Sequence, residues 1–385
     1  MEDTDLQRLI DDGVPEGREV EYKRELTVAT DHEKKEFLAD VSSFANTVGG
    51  VLYIGIREEN QLPVELTGLA VSDQDIEIQR LENLLRNGLE PRLPGVNILP
   101  VRLSSSRLVI VLEIPQSWAL PHRVILKGHD KFYARNAGGK YPVDVAELRS
   151  LFAQSEALTE RMRRFRHERL SAVQAGETPM GLGAWPKVVL HLIPIQSFKP
   201  GSMLDLSHVQ DKLTRLRPFH APGWNYRHNF EGFATFTTDH QEGNTLTYVQ
   251  VFRTGALEAG DRFMLDYSEK QEQRYIPGAY FEHTIASSLP PYLAVLSELG
   301  IQPPVFLGLS LLGVKGYQMA VEGQWPFPRA PRNIERQDLV LPEIAVDDFT
   351  ADPYKLLKPV FDIVWNAAGW PGSVNYSSDG QWRGR

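Results

Sequence analysis

The alternation of apolar and polar positions is most regular between Thr30 and Ile56. Phe37, Val41, Phe44, Ala45 and Val48 recur at three- and four-residue steps, which predicts an apolar helix face, with Lys34, Lys35 and Asp40 on the other side. Thr30 and Glu33 have the spacing of a capping box, in which hydroxyl and carboxylate satisfy free amides of the first turn, so the helix should begin there. Gly49 can end it in the left-handed conformation, and Gly50 lets the chain turn into Val51-Leu52-Tyr53-Ile54-Gly55-Ile56. That run is apolar on both faces, which predicts an inner strand.

The same reading extends along the chain. Residues 1–13 put Leu6, Leu9 and Ile10 on one helical face. Val20 to Leu26 alternates as a strand, with Val20 and Tyr22 opposite Glu19, Glu21, Lys23 and Glu25. Residues 57–60 predict a polar turn, and Ile76, Ile78, Leu81, Leu84 and Leu85 a helix. Residues 96–103, 108–114 and 131–135 read as strands, and 142–152 as a short closing helix. The Gly- and Pro-rich segment 174–186 suits a linker. Beyond it, 188–193, 230–238, 246–253 and 305–314 predict strands, and 206–216, 282–299 (apart from Pro290-Pro291) and 354–368 predict helices. The fold class is therefore α+β: a mixed-sheet domain over residues 1–173, a linker over 174–186, and a second mixed α and β domain over 187–385.

Composition changes this picture in three places. At 385 residues the chain exceeds one typical core, in line with two domains. It has no cysteine, which removes disulfides and thiolate metal sites, leaves metal binding to carboxylates and histidines, and fits a cytoplasmic protein. The longest apolar run, around Val305 to Val314, falls short of the ~18 residues of a membrane span, so no membrane association is expected.

The net charge of −9 argues against wholesale coating by nucleic acid, yet the basic residues cluster. Arg161, Arg163, Arg164, Arg166 and Arg169 lie among Leu158, Met162 and Phe165, a basic amphipathic helix whose arginines, Arg161 and Arg164 among them, can contact phosphates. Arg123, Lys127, Lys131 and Arg135, with His122 and His129, surround Phe132-Tyr133 in a hairpin suited to phosphate contacts and to stacking on an unpaired base. An acidic group precedes the first helix: Glu16, Glu19, Glu21 and Glu25, with Lys23 among them. Gly17 can supply the turn that brings Glu16 to the Glu21 face. Such carboxylates suit Mg2+ or Mn2+, with Lys23 at a phosphate. His191, inside an apolar strand, reads as a core histidine. No phosphate-binding G-x-x-x-x-G-K-[ST] loop occurs, since Gly138-Gly139-Lys140 runs on to Tyr141.

The order Val20-Glu21-Tyr22-Lys23, then Phe37 to Val48 ending in Asn46-x-x-Gly49-Gly50, then Leu52-Tyr53-Ile54-Gly55-Ile56 resembles the Schlafen AlbA_2 domain over roughly Glu16 to Phe152. The resemblance implies nucleic-acid binding and, for nuclease-active members, cleavage of RNA such as tRNA by three metal-holding acids. Glu16 and Glu21 match two of those acids and Lys23 the family lysine. The third acid belongs in the turn after the Gly-Gly strand, which here reads Arg57-Glu58-Glu59 and leaves Glu58 or Glu59 for the role. The expected metal ligands are then Glu16, Glu21 and Glu58. The family's cysteine zinc site cannot form in this chain. A second lobe, which members use to enclose RNA, would have to come from a homodimer or from the C-terminal domain. Two functions follow: a metal-dependent endoribonuclease acting on structured RNA, or a non-catalytic nucleic-acid-binding regulator.

Overall fold

The structure, a computed structural model, describes residues 2–93, 95–198, 201, 203–239, 244–265, 274–321 and 332–384. Contacts divide the chain into two compact units, Met1–Thr159 and Glu160–Arg385.

The first unit runs α1 (Asp3–Asp11), β1 (Val20–Lys23), α2 (Asp31–Ala45), β2 (Gly49–Ile54), β3 (Ile56–Glu59), β4 (Leu62–Leu66), α3 (Gln74–Gly88), β5 (Leu89–Glu90), β6 (Asn97–Arg102), β7 (Leu108–Pro115), β8 (Arg123–Val124), β9 (Lys131–Asn136) and β10 (Gly139–Pro142), before α4 (Val145–Ala175) begins. The main sheet has the order β1-β2-β7-β6, with β1 and β2 parallel and the other pairs antiparallel, so β2 is an inner strand as its two apolar faces require. Leu52 and Ile54 pack with Phe37, Leu38 and Val41 of α2 on one face, while Tyr53 packs with Tyr22, Val109, Val111 and Leu6 of α1 on the other. Each such buried side chain contributes ~1.5–3 kcal/mol.

The capping box at Thr30 forms in both directions: the hydroxyl accepts from the Glu33 amide, and the Glu33 carboxylate accepts from the Thr30 amide at 2.7 Å. Helix α2 stops at Ala45 rather than at Gly49, because Thr47 and Val48 already lie in the turn. Gly49 and Gly50 are needed for space as well as for turning. A Cβ on Gly50 would sit 2.4 Å from the Glu19 carbonyl and 2.6 Å from the Phe44 ring. The apolar run 51–56 is split at Gly55 (φ 108°), and residues 57–59, expected within a turn over 57–60, instead join Ile56 in β3, which pairs with β4 through a tight turn at Asn60 and Gln61, both at positive φ. The closing helix and the basic helix are one element, α4, within which the unit boundary falls.

The second unit contains β11 (Lys187–Pro194), β12 (Asn225–His228), β13 (Gly232–Thr238), β14 (Thr245–Phe252), β15 (Leu257–Asp261), β16 (Tyr275–Pro277), α5 (Gly278–Glu298), β17 (Val305–Leu312), β18 (Gln318–Ala320), β19 (Asp338–Val340), β20 (Ile344–Val346) and α6 (Pro353–Ala367). Its large sheet has the order β12-β13-β14-β15-β11-β17, with β19 and β20 both pairing with β17. Helices α5 and α6 bury Phe281, Ile285, Leu289, Phe361 and Trp365 in the same core. Three expectations change here. The segment 174–186 lies within this unit, where Met180 and Leu182 are buried against Tyr248. Within residues 206–216 only Val209–Lys212 is helical, and it is a single 3-10 turn rather than the expected helix. Helix α5 continues through Pro290-Pro291, because burial of Leu289, Tyr292, Leu293 and Leu296 outweighs the local penalty. Among the described residues, no helix is long and apolar enough to cross a membrane.

Candidate functional site

A cleft of about 330 Å³ lies where β1, α2 and the β9–β10 turn meet, and Glu16, Glu21, Lys23, Asp40, Arg135 and Lys140 line it. The turn at Gly17, whose amide donates to the Val20 carbonyl at 2.9 Å, folds Glu16 back over β1, and the Glu16 carboxylate accepts from the Tyr22 amide at 2.7 Å. Glu16 and Glu21 therefore share one site, as the glycine suggested. The tip of the β3–β4 hairpin reaches the same place, since the Glu16 amide donates to the Gln61 carbonyl at 2.7 Å.

Within the cleft the acids are matched by cations. Glu21 Oε1 lies 2.5 Å from Lys23 Nζ and Oε2 lies 2.8 Å from Arg135 Nη2. Asp40 Oδ1 lies 2.8 Å from Lys140 Nζ, which also pairs with Glu36 at 2.7 Å. Burial would raise the Glu21 carboxyl, but Lys23 and then Arg135 outweigh it and hold it below the usual range. Asp40 goes the other way: burial, joined by repulsion from Glu21, raises it despite Lys23 and Lys140. Burial also raises Glu16, with repulsion from Glu21 and Glu58 adding to it against the Tyr22 amide.

Asp40, Glu36 and Lys140 are not among the site residues that the sequence pattern picks out. That pattern puts Asp40 on the polar side of α2, yet the helix is buried all round from Phe37 to Ala45. An acid one turn before Phe44, inside an apolar stripe, is the signal that a buried partner must exist. Arg135, expected as a surface phosphate contact, is instead 3% exposed, with its guanidinium 3.6 Å from the centre of the Phe44 ring and Nη2 donating to the Gly17 carbonyl. Its Nε and Nη1 are buried without a hydrogen-bond acceptor among the described residues. The motif residue Asn46 ties α2 to the hairpin. Its side-chain amide donates to the carbonyls of His122 and Tyr133, both at 2.8 Å, and its side-chain oxygen accepts the His122 amide at 2.6 Å.

Neither acid expected after the Gly-Gly strand lines the cleft. Glu59 is exposed and paired with Arg57, which also holds Glu65 at 2.9 Å. Glu58 is exposed, accepts the Gln61 amide at 2.9 Å, and repels Glu16 without lining the cleft. Among the described residues, no three His, Asp or Glu side chains form a group that could hold a metal ion. Glu16, Glu21 and Glu58 as they stand do not fit Mg2+ or Mn2+, because both oxygens of Glu21 already face cations.

The other expected contacts divide by exposure. In the hairpin, Arg123 pairs with Glu90 and, at 2.7 Å, with Asp130, and Lys127 pairs with Asp31 at 2.6 Å. His122 is fully buried. Lys131 is exposed, and His129 stacks on Tyr133 with rings 7° from parallel. Lys35 and Lys131 both lie close enough to His129 to push its pKa down, adding to burial. In the basic helix Arg161 and Arg164 are exposed, whereas Arg166 pairs with Glu343 and Arg169 with Glu231 and Glu258, all at 2.9 Å. His191 is the core histidine its strand implied, 2.9 Å from Glu258.

Residues 16–144 match the family described as Schlafen, AlbA_2. Among solved structures, the N-terminal domain of a RecG-related protein from Nitrosomonas europaea is 21% identical with a TM-score of 0.28, covering 38% of this chain and 94% of that one. The DIP2311 protein from Corynebacterium diphtheriae is 15% identical with a TM-score of 0.27, and the match covers 38% of this chain and 30% of that one. No curated protein matches the sequence.

Proposed function

We propose that the protein binds nucleic acid through its N-terminal unit, where residues 16–144 match the Schlafen AlbA_2 family, without cutting it. One observation carries this reading: Lys23 and Arg135 take both oxygens of Glu21, so the carboxylates brace cations instead of presenting a ligand set. Arg135 lines the cleft with two buried donors to spare, and an anionic phosphate oxygen is the acceptor that suits them. The stacked His129–Tyr133 pair, with Lys35 and Lys131 beside it, adds a ring platform and two cations for a neighbouring nucleotide.

A second reading, a metal-dependent endoribonuclease acting on tRNA-like RNA, is favoured by the shared cleft of Glu16, Glu21 and Lys23. It requires Glu21 to give up a cation in exchange for Mg2+ or Mn2+. The two readings separate in one experiment. Under the first, full-length protein binds tRNA with an affinity that falls with salt at a logarithmic slope of ~0.7–0.9 per phosphate contacted, Lys35→Ala/Lys131→Ala weakens it, and the tRNA stays intact with either metal. Metal-dependent cleavage that Glu21→Gln abolishes would establish the nuclease instead.

A further inference from the structure

The second unit carries an aromatic groove that neither reading uses. Phe230 is 95% exposed, at the apex of the turn between β12 and β13, a position where chains ordinarily place polar residues. Asn229 holds the turn: its backbone carbonyl accepts the Gly232 amide, its side-chain oxygen accepts the same amide at 2.8 Å, and its side-chain amide donates to Gln250 at 2.7 Å. Arg253, just beyond β14, then fixes it, donating its backbone amide to the Glu231 carbonyl at 2.9 Å and Nε to the Phe230 carbonyl at 3.3 Å. The backbone that carries the ring is thus fixed in advance, which removes part of the ordering cost of binding.

Below it, a groove of about 500 Å³ is walled by Phe165, Met203, Phe230 and Phe252, with Arg169 and Arg253 at its sides. Phe165 meets Phe252 edge-on at 6.0 Å, and the Arg169 guanidinium lies 4.8 Å from the Phe252 ring centre. Met203 is 69% exposed. Glu231 also lines the groove, but its charge is paired with Arg169. On α4, Arg161 stands one turn before Phe165 and is exposed, on the same side of the helix as the exposed Glu168.

Size and charge select the occupant. One phenyl ring and one methionine expose far less than the ~800 Å² per partner of a stable protein interface, at ~150–250 Å² for an aromatic side chain. The volume lies in the ~300–1,000 Å³ range of small planar ligands, and cations ring an apolar floor. The geometry points to an unpaired nucleobase of a single strand, stacked on Phe230, with its flanking phosphates met by Arg161 and Arg253. The partner rests on the nucleic-acid reading above, while the site uses different residues.

Fluorescence anisotropy of full-length protein with a single strand of about 12 nucleotides tests it. Phe230→Ala, a change at an exposed position, should weaken single-strand binding ~5- to 150-fold, the span of one lost base stack. Phe230→Trp should retain it, a duplex of the same sequence should be unaffected, and 5-iodouridine should crosslink to Phe230. If Phe230→Ala binds as wild type does while Lys35→Ala/Lys131→Ala weakens binding, the groove inference falls and the first reading stands. If wild type binds no oligonucleotide, both fall. If Phe230→Ala instead dissociates a dimer in sedimentation and leaves affinity unchanged, the groove receives a second copy of the chain and the inference is overturned.

Discussion

Arg135 shows how one residue can join the core to the site. It stacks on Phe44 from within β9, and its Nη2 is the second cation on Glu21. Replacing it by methionine keeps the packing but leaves the Glu21 carboxylate buried with an uncompensated oxygen, a loss of ~3–5 kcal/mol for a broken buried pair. Adding Glu21→Gln removes the charge, so the double variant should recover much of that loss in native-state amide exchange of peptides from residues 37–54. Equal protection in the single and double variants would show that the pair is not coupled. The sequence made Glu16, Glu21, Lys23 and the Gly17 turn legible, because strand alternation and a glycine determine those positions locally. The burial of Arg135 on α2 and the part played by Asp40 and Lys140 were hidden for the opposite reason. Period alone cannot say which face of a hairpin meets a helix about ninety residues earlier in the chain.

At the scale of the element, α2 is the most legible part of the molecule, since its cap is a local hydrogen-bond pattern that needs no tertiary partner. Thr30→Ala removes the acceptor of the Glu33 amide and should cost ~0.5–2 kcal/mol. The effect should appear as faster amide exchange in the first turn of residues 31–45, and unchanged exchange there would show that burial alone holds the helix. Element ends were less legible. Residues 142–152 and the basic stretch read as separate pieces because polar positions interrupt the apolar stripe, yet nothing between them breaks a helix, and α4 runs on. Residues 206–216 show the converse: Leu206, Val209 and Leu216 are buried as their spacing implies, but turn geometry satisfies that spacing equally well.

For the molecule as a whole, pH acts on stability through two buried carboxyls of the second unit that titrate in different windows. Burial pushes the Asp261 carboxyl up to about 7, against the lowering effect of the Met264 amide and Thr247. A folded value above the unfolded one gives a contribution that is full below pH ~4 and lost as pH rises toward ~7. Asp261→Asn should therefore match wild type in melting temperature near pH 4 and exceed it near pH 8, by ~2–4 °C per kcal/mol recovered. A pH-independent difference would refute the assignment. Glu258 behaves oppositely: burial raises it, but His191 and Arg169 bring it down to about 2, so its contribution is present above pH ~4.5 and is lost in acid between there and ~2.

Asn46 has one more consequence, which concerns time rather than structure. Its side-chain amide and oxygen are satisfied by His122 and Tyr133, partners 76 and 87 residues further along the chain. Helix α2 can form early from its own cap, but its C-terminal end stays unsatisfied until the β8–β9 region has docked, and Arg135 reaches Glu21 by that same docking. Contacts this far apart along the chain form only after the entropy of closing a long loop has been met. The cleft is thus completed late: a nascent chain that has not yet delivered residues 122–135 lacks both the carbonyls that Asn46 binds and the second cation on Glu21, and so has no site.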